Sequence, residues 1–145
     1  MARTAALEAG NVIMEVYLSG NFHASTKADE SPLTLADSAA HRVILKHLAL
    51  TDLPVLSEEG SHALFETRQT WDLYWLVDPL DGTKEFLKQN GEFTVNIALI
   101  ENHEAVMGVI YAPATNVLYY GCKGIGSFML NDAAAFLNDL GKVAF

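Results

Sequence analysis

The chain has a single cysteine, Cys122, in 145 residues. That excludes an internal disulfide and a cysteine-built zinc cage, and it fits a reducing compartment. Positive charge is also scarce: 9 Lys+Arg stand against 18 Asp+Glu, a formal net charge of −9. A nucleic-acid binder that neutralises phosphates with its own cations is therefore excluded. A small phosphate-bearing substrate is not, provided metal ions bring the positive charge. No apolar run approaches the roughly 20 residues that span a bilayer. Glu8, Gly10 and Asn11 follow too soon after Met1 for a signal peptide. What the chain does have is apolar content, 50% of its residues, enough for a core and too much for disorder. These observations predict one soluble, intracellular domain.

Periodicity divides the chain in two. Ala9, Val12, Ile13, Val16 and Tyr17 form one helical stripe, stopped at Ser19-Gly20-Asn21. Phe22 to Pro32 reads as a polar surface loop. A second helix carries Ala36, Ala39, Ala40, Val43, Ile44 and Leu48 on one face, and Thr34 with Asp37 can close a capping box at its start. It fades near Thr51-Asp52, and Pro54 to Ser57 forms a short strand. A polar connection then runs through Thr70. Leu73 to Val77 is a buried strand ending in the turn formers Asp78-Pro79-Leu80-Asp81-Gly82, and Thr83 to Gln89 makes a brief helix stopped by Asn90-Gly91. From Phe93 the period becomes two: Phe93, Val95, Ile97 and Leu99 share a face. Val106 to Tyr111, Val117 to Tyr120 and Ser127 to Leu130 follow after short turns, so they predict antiparallel neighbours. The expected fold class is α+β, two N-terminal helices packed on a largely antiparallel sheet. Gly121, Gly124 and Gly126 imitate a dinucleotide fingerprint, but Met129 occupies the third glycine's place and no helix follows; a β-turn is the better reading.

Chemistry concentrates at Asp78-Pro79-Leu80-Asp81-Gly82-Thr83. A buried strand delivers two carboxylates into a turn, Gly82 lets the backbone approach a ligand, and helix-start amides suit an anion. Acids and an anion site conflict unless a divalent cation joins them; oxygen ligands favour Mg²⁺ or a relative. Its first five residues, Asp78 to Gly82, are equally an ordinary turn with Asp81 as a helix cap. A second acidic strand end, Glu58-Glu59, tips the reading toward a metal site. The capping box alone accounts for Asp37, Thr83 reads as an ordinary helix residue, and Lys27 reads as a solvated lysine. His23, His41, His47, His62 and His103 show no metal-ligand spacing and are read as structural or surface residues. Trp71, Trp75, Tyr119 and Tyr120 are read as packing rather than a base-stacking platform.

These residues resemble a known family. Trp75-Leu-Val-Asp78-Pro-Leu-Asp81-Gly-Thr83-Lys-Glu-Phe86 is similar to the signature of the inositol monophosphatase superfamily. Asn90 to Ile100, Val55 to Glu59, and Lys27 to Thr34 with Asp37 downstream resemble its 3'(2'),5'-bisphosphate nucleotidase branch, which the Lys84-Glu85-Phe86 run favours over the inositol enzymes. The resemblance implies the first half of a layered α/β sandwich. It implies Glu58, Asp78, Asp81 and the Leu80 carbonyl as ligands of two or three Mg²⁺ ions. It implies that Leu80, Asp81, Gly82 and Thr83, with Glu58, contact substrate, and that Thr83, Asp37 and Glu58 act in catalysis. The implied reaction cleaves adenosine 3',5'-bisphosphate to AMP and phosphate, in the service of sulfate assimilation and with sensitivity to lithium. A cytoplasmic location is implied, with peripheral inner-membrane association known among bacterial relatives of this branch.

The likeness runs to about residue 130. The family's later Trp-Asp-x-Ala-Ala motif has no counterpart, for Asn131-Asp132-Ala133-Ala134 echoes its letters only and reads as a turn. Residues 131–145 are expected to be a non-matching tail with a helix over Ala133 to Leu140, closed by Gly141. A chain matching only the first half is expected to leave a sheet or helix face open, inviting a homodimer or a covering partner. Its own activity is then in question, and two further readings stand beside the nucleotidase. One is an inositol monophosphatase-type enzyme; the other is a non-catalytic module that binds metal or phosphate.

Overall fold

Apolar alternation along the second half of the chain builds one six-stranded sheet, and two helices from the first half cover one side of it. The computed structural model describes residues 1–22, 25–26, 32–60 and 63–140. The elements are α1 (Ala2–Ser19), β1 (Ser25–Thr26), β2 (Pro32–Leu33), α2 (Leu35–Leu48), β3 (Val55–Ser57), α3 (Phe65–Arg68), β4 (Leu73–Asp81), α4 (Thr83–Leu87), β5 (Thr94–Glu101), β6 (Glu104–Ala112), β7 (Val117–Cys122), β8 (Gly126–Asn131) and α5 (Ala134–Leu140). The large sheet runs β3-β4-β5-β6-β7-β8. Only β3 and β4 are parallel; every other neighbouring pair is antiparallel. Short turns explain the antiparallel part: Asn102 and His103 both adopt positive φ, the two-residue turn that suits strand twist.

Helix and strand periods meet on the covered face. Ala5, Ala6, Leu7, Ala9 and Ile13 of α1 and Ala36, Ala40, Ile44 and Leu48 of α2 are buried with Trp75, Val77, Val95, Ile97, Val109 and Leu118 of the sheet. The alanines let helix backbones lie close to the strands. Gly10 marks the tightest approach, since a Cβ there would stand 2.2 Å from Tyr111 Cε1. Phe86 of α4 closes one end of this core, with its ring 5.2 Å from those of Phe22 and Phe93. The opposite face carries Leu76, Ile110, Tyr119 and Met129, all exposed.

The α+β expectation holds, with differences in detail. Thr34 does cap α2, and the capping box with Asp37 is complete. The strand expected to stop at Val77 continues to Asp81. Asp78 pairs with Asn96 and Asp81 with Thr94, so β4 fits one extra residue into the ladder, a β-bulge rather than a turn. Within the segment expected to be loop, Ser25–Thr26 pairs antiparallel with Pro32–Leu33. Residues 23, 24, 27–31, 61, 62 and 141–145 lie outside the described residues, and with them His23, Lys27, His62 and Gly141. The connection before β4 contains α3, too short to show a period. Gly121, Gly124 and Gly126 belong to the β7–β8 hairpin, in line with the turn reading. Beyond Asn131 the chain turns through Asp132, at φ 51, and packs Ala133 into the core before α5.

Candidate active site

The parallel pairing of β3 with β4 is what gathers the acids. Val55, Leu56 and Ser57 lie beside Trp75, Leu76 and Val77. Both strands point the same way, so both release their carboxylates at the same sheet edge. The Glu58 N–H donates to the Val77 carbonyl at 3.1 Å, holding Glu58 beside the start of the bulge.

The bulge spaces the two aspartates. Asp78 precedes the buried Pro79 and Leu80, and Asp81 emerges at the surface. The Leu80 N–H donates to Asp78 Oδ1 at 3.2 Å. Asn96 Nδ2 donates to Asp81 Oδ2 at 3.3 Å, and Thr94 Oγ1 donates to Asn96 Oδ1 at 3.3 Å, so β5 orients Asp81. Gly82 follows at φ 92, where a Cβ would strike the Glu92 carbonyl at 2.7 Å; only glycine turns the chain into α4 here.

The electrostatics of this corner are unfavourable without a cation. Burial, the charges of Glu58 and Asp81, and a hydrogen bond shared with Glu58 push the Asp78 carboxyl up to about 7, partly offset by the Leu80 N–H. A bond between two carboxyl groups needs a proton on one of them, and a divalent cation can take that proton's place. Among the described residues no three His, Cys, Asp or Glu side chains already form a cage. The donors are hard oxygens in a locally acidic corner, which fits Mg²⁺ rather than a thiolate- or imidazole-seeking metal.

A further carboxylate of different character, Asp37, reaches the far end of the bulge through Thr83. Asp37 is fully buried in the first turn of α2. Its Oδ2 accepts from the Thr34 N–H at 2.8 Å and from the Thr34 hydroxyl. Its Oδ1 accepts from Thr83 Oγ1 at 3.2 Å. Thr83 Oγ1 also lies 3.3 Å from the Leu80 carbonyl. Burial raises the Asp37 pKa while the Thr34 and Thr83 bonds lower it, burial prevailing. The capping box thus leaves one carboxylate oxygen directed at Thr83, a link the local sequence does not reveal because the two residues lie on different elements.

The structure therefore brings Glu58, Asp78 and Asp81 together at one strand edge, and Asp37, Thr83 and Leu80 together beside it. Gly82 joins the two sets. Two contacts lie beyond the sequence reading, which took His41 as structural or surface and did not weigh Ser57 or Arg68. His41 Nδ1 and Ser57 Oγ share a hydrogen bond of 2.9 Å next to Glu58. Arg68 lines a cleft of about 560 Å³ with Glu58, Asp78 and Asn96, and its buried Nε has no hydrogen-bond partner. No spacing rule announces either, since both contacts are made across the fold. His47 pairs with Glu8 at 2.8 Å, as a structural histidine would.

A profile of the inositol monophosphatase family matches residues 1–139. The 3'(2'),5'-bisphosphate nucleotidase CysQ of Salmonella typhimurium is 58% identical over 122 residues, covering 82% of this chain and 49% of that protein. The crystal structure of CysQ from Bacteroides thetaiotaomicron, described as a bacterial member of the inositol monophosphatase family, superposes with a TM-score of 0.79 at 50% identity, over 90% of this chain and 47% of that one. A structure of an IMPase/NADP phosphatase complexed with Mg²⁺ and phosphate shares the fold at a TM-score of 0.72 and 23% identity, over 84% of this chain and 46% of that one. The chain thus spans about half the length of the relatives it matches. Among the described residues no helix is long and apolar enough to cross a membrane.

Proposed function

The chain belongs to the inositol monophosphatase family, and from that membership we propose that it carries the catalytic corner of a Mg²⁺-dependent 3'(2'),5'-bisphosphate nucleotidase. The reaction is hydrolysis of adenosine 3',5'-bisphosphate to AMP and inorganic phosphate. The observation that carries this reading is the meeting of two acid sets at one sheet edge. Glu58 and Asp78 share a hydrogen bond, and Asp37 takes the Thr83 hydroxyl's hydrogen 3.2 Å away.

In this reading Glu58, Asp78, Asp81 and the Leu80 carbonyl hold two or three Mg²⁺ ions. Bound there, the ions supply charge neutralisation for the phosphate and a more acidic water. The chain's own groups supply placement, which is most of what phosphoryl transfer asks of a protein. Thr83 spends its hydrogen on Asp37, which leaves its oxygen lone pairs to accept from an attacking water. Asp37, desolvated and raised in pKa, is suited to take a proton through Thr83. The Gly82 and Thr83 amides begin α4, where helix geometry leaves N–H groups without intrahelical partners and open to a phosphate oxygen. The Leu80 N–H donates to Asp78, and in this reading Leu80 and Asp81 also border the substrate phosphate. Glu58 acts both in holding the ions and at the substrate's edge.

Phosphate release from adenosine 3',5'-bisphosphate with Mg²⁺, in the parent and in Asp78→Asn, tests the proposal; release that Asp78→Asn abolishes supports it. Equal or faster release from an inositol monophosphate moves the assignment to the inositol branch. One observation favours a second reading: Leu76, Ile110, Tyr119 and Met129 leave one face of the sheet exposed. On that reading the chain binds metal or phosphate without turnover, and the exposed sheet face awaits a second copy or a covering segment. Cation uptake with no phosphate release decides for it. For either reading we infer a cytoplasmic location, from the likeness to the nucleotidase branch.

A further inference from the structure

Asp37 and His41 lie four residues apart on α2, so they stand on one face, a turn apart. Asp37 reaches Thr83, on the far side of the bulge. His41 reaches the other acid-bearing strand, where its Nδ1 shares a hydrogen bond of 2.9 Å with Ser57 Oγ. One helix face therefore touches both segments that carry the carboxylates.

Ser57 needs this partner. Its side chain is buried, 4% exposed, and a buried hydroxyl left unpaired is costly. It is also the last residue of β3, a strand only 3 residues long that stands at the end of the sheet and, among the described residues, pairs with β4 alone. Such ends fray unless something pins them. Glu58 follows at once, held by its N–H to the Val77 carbonyl at 3.1 Å. The Gly60 N–H closes a turn onto the Ser57 carbonyl, also at 3.1 Å. The His41 ring lies against this turn: a Cβ on Gly60 would sit 3.7 Å from its Cε1. Burial, with Arg42 alongside, lowers the ring's pKa, so a neutral imidazole meets the hydroxyl at neutral pH.

We propose that His41 is a positioning residue, whose bond to Ser57 fixes the exit of β3 and so the place where Glu58 is presented to a divalent cation. The proposal rests on the reading of Glu58 as a cation ligand. Groups that orient metal ligands without touching the metal are worth about 10- to 100-fold in affinity when removed.

The test has two arms on the whole chain. In the cation-free protein, amide exchange at Glu58 and Gly60 is compared in the parent, Ser57→Ala, His41→Ala and His41→Asn, with α1 and β5 amides as the internal reference. Asn offers a polar atom near the place of the imidazole Nδ1. In the second arm, Mg²⁺ is titrated calorimetrically into the same four proteins. The expected result is faster exchange at Glu58 and Gly60 in both alanine variants, α1 and β5 unchanged, and Mg²⁺ binding weakened about tenfold. His41→Asn restores both. Exchange unchanged in His41→Ala overturns the proposal, as does unaltered Mg²⁺ affinity beside faster exchange. No Mg²⁺ uptake by the parent overturns the metal reading instead, and is told apart because the exchange difference persists.

Discussion

The two sides of the sheet's first strands are built on opposite terms. On the covered side, α1 and α2 bury Trp75, Val77, Val95 and Ile97 under alanines and leucines, and the buried polar residues Thr34, Asp37 and Ser57 all have partners. At the strand edge, Glu58, Asp78 and Asp81 crowd together until Asp78 keeps a proton to about 7. The first region holds the chain together; the second works against it. The lesson is that folding free energy and chemistry are sited apart, with α2 linking them through Asp37 and His41.

The contrast can be broken most forcefully in the core. Phe86→Ala removes a fully buried ring and is expected to cost about 3–5 kcal/mol, read by denaturant unfolding; a loss under 1 kcal/mol would mean the core is not where the stability lies. In the acid corner the sign should reverse. Asp78→Asn removes a crowded charge and is expected to stabilise the cation-free chain by about 1–2 kcal/mol at pH 8, solvent screening having cut the full value. The same variant should lose any rise in melting temperature that Mg²⁺ gives the parent. A destabilised Asp78→Asn would show that the carboxylates are not in conflict.

Acid–base linkage sharpens the point. Asp78 is raised from 3.8 to about 7 in the folded chain, and Asp37 is raised as well. Between those values the folded state holds protons that the unfolded state has released. Stability of the cation-free chain from these groups is thus fully present below about 3.8 and is lost as pH rises toward about 7. Melting temperatures across that window should fall with pH, and Mg²⁺ should flatten the slope. The smallest effect belongs to the exposed face: Ile110→Thr is expected to change stability by about 0.5 kcal/mol or less, because Ile110 is 47% exposed.

Much of this was legible in the sequence because its causes are local. Thr34 and Asp37 announce the α2 cap, alternation from Phe93 announces β5, and short turns announce the antiparallel hairpins. The acids Glu58, Asp78 and Asp81 were legible as types at strand ends. Their meeting was expected too; its cause, β3 choosing β4 as a parallel neighbour in a sheet read as largely antiparallel, was not. Asp78-Pro79-Leu80-Asp81 reads as a turn by composition, and only pairing with Asn96 and Thr94 makes it a bulge. α3 is one turn long and leaves no period. The His41–Ser57 and Asp37–Thr83 bonds span 16 and 46 residues, beyond any local rule.

The most direct measurement is calorimetric titration of Mg²⁺ into the parent chain and into Glu58→Gln, Asp78→Asn and Asp81→Asn. The account predicts saturable uptake by the parent and at least tenfold weaker binding in each variant, on the scale of a lost ligand or ligand support. Uptake that survives all three substitutions, or none by the parent, would contradict it.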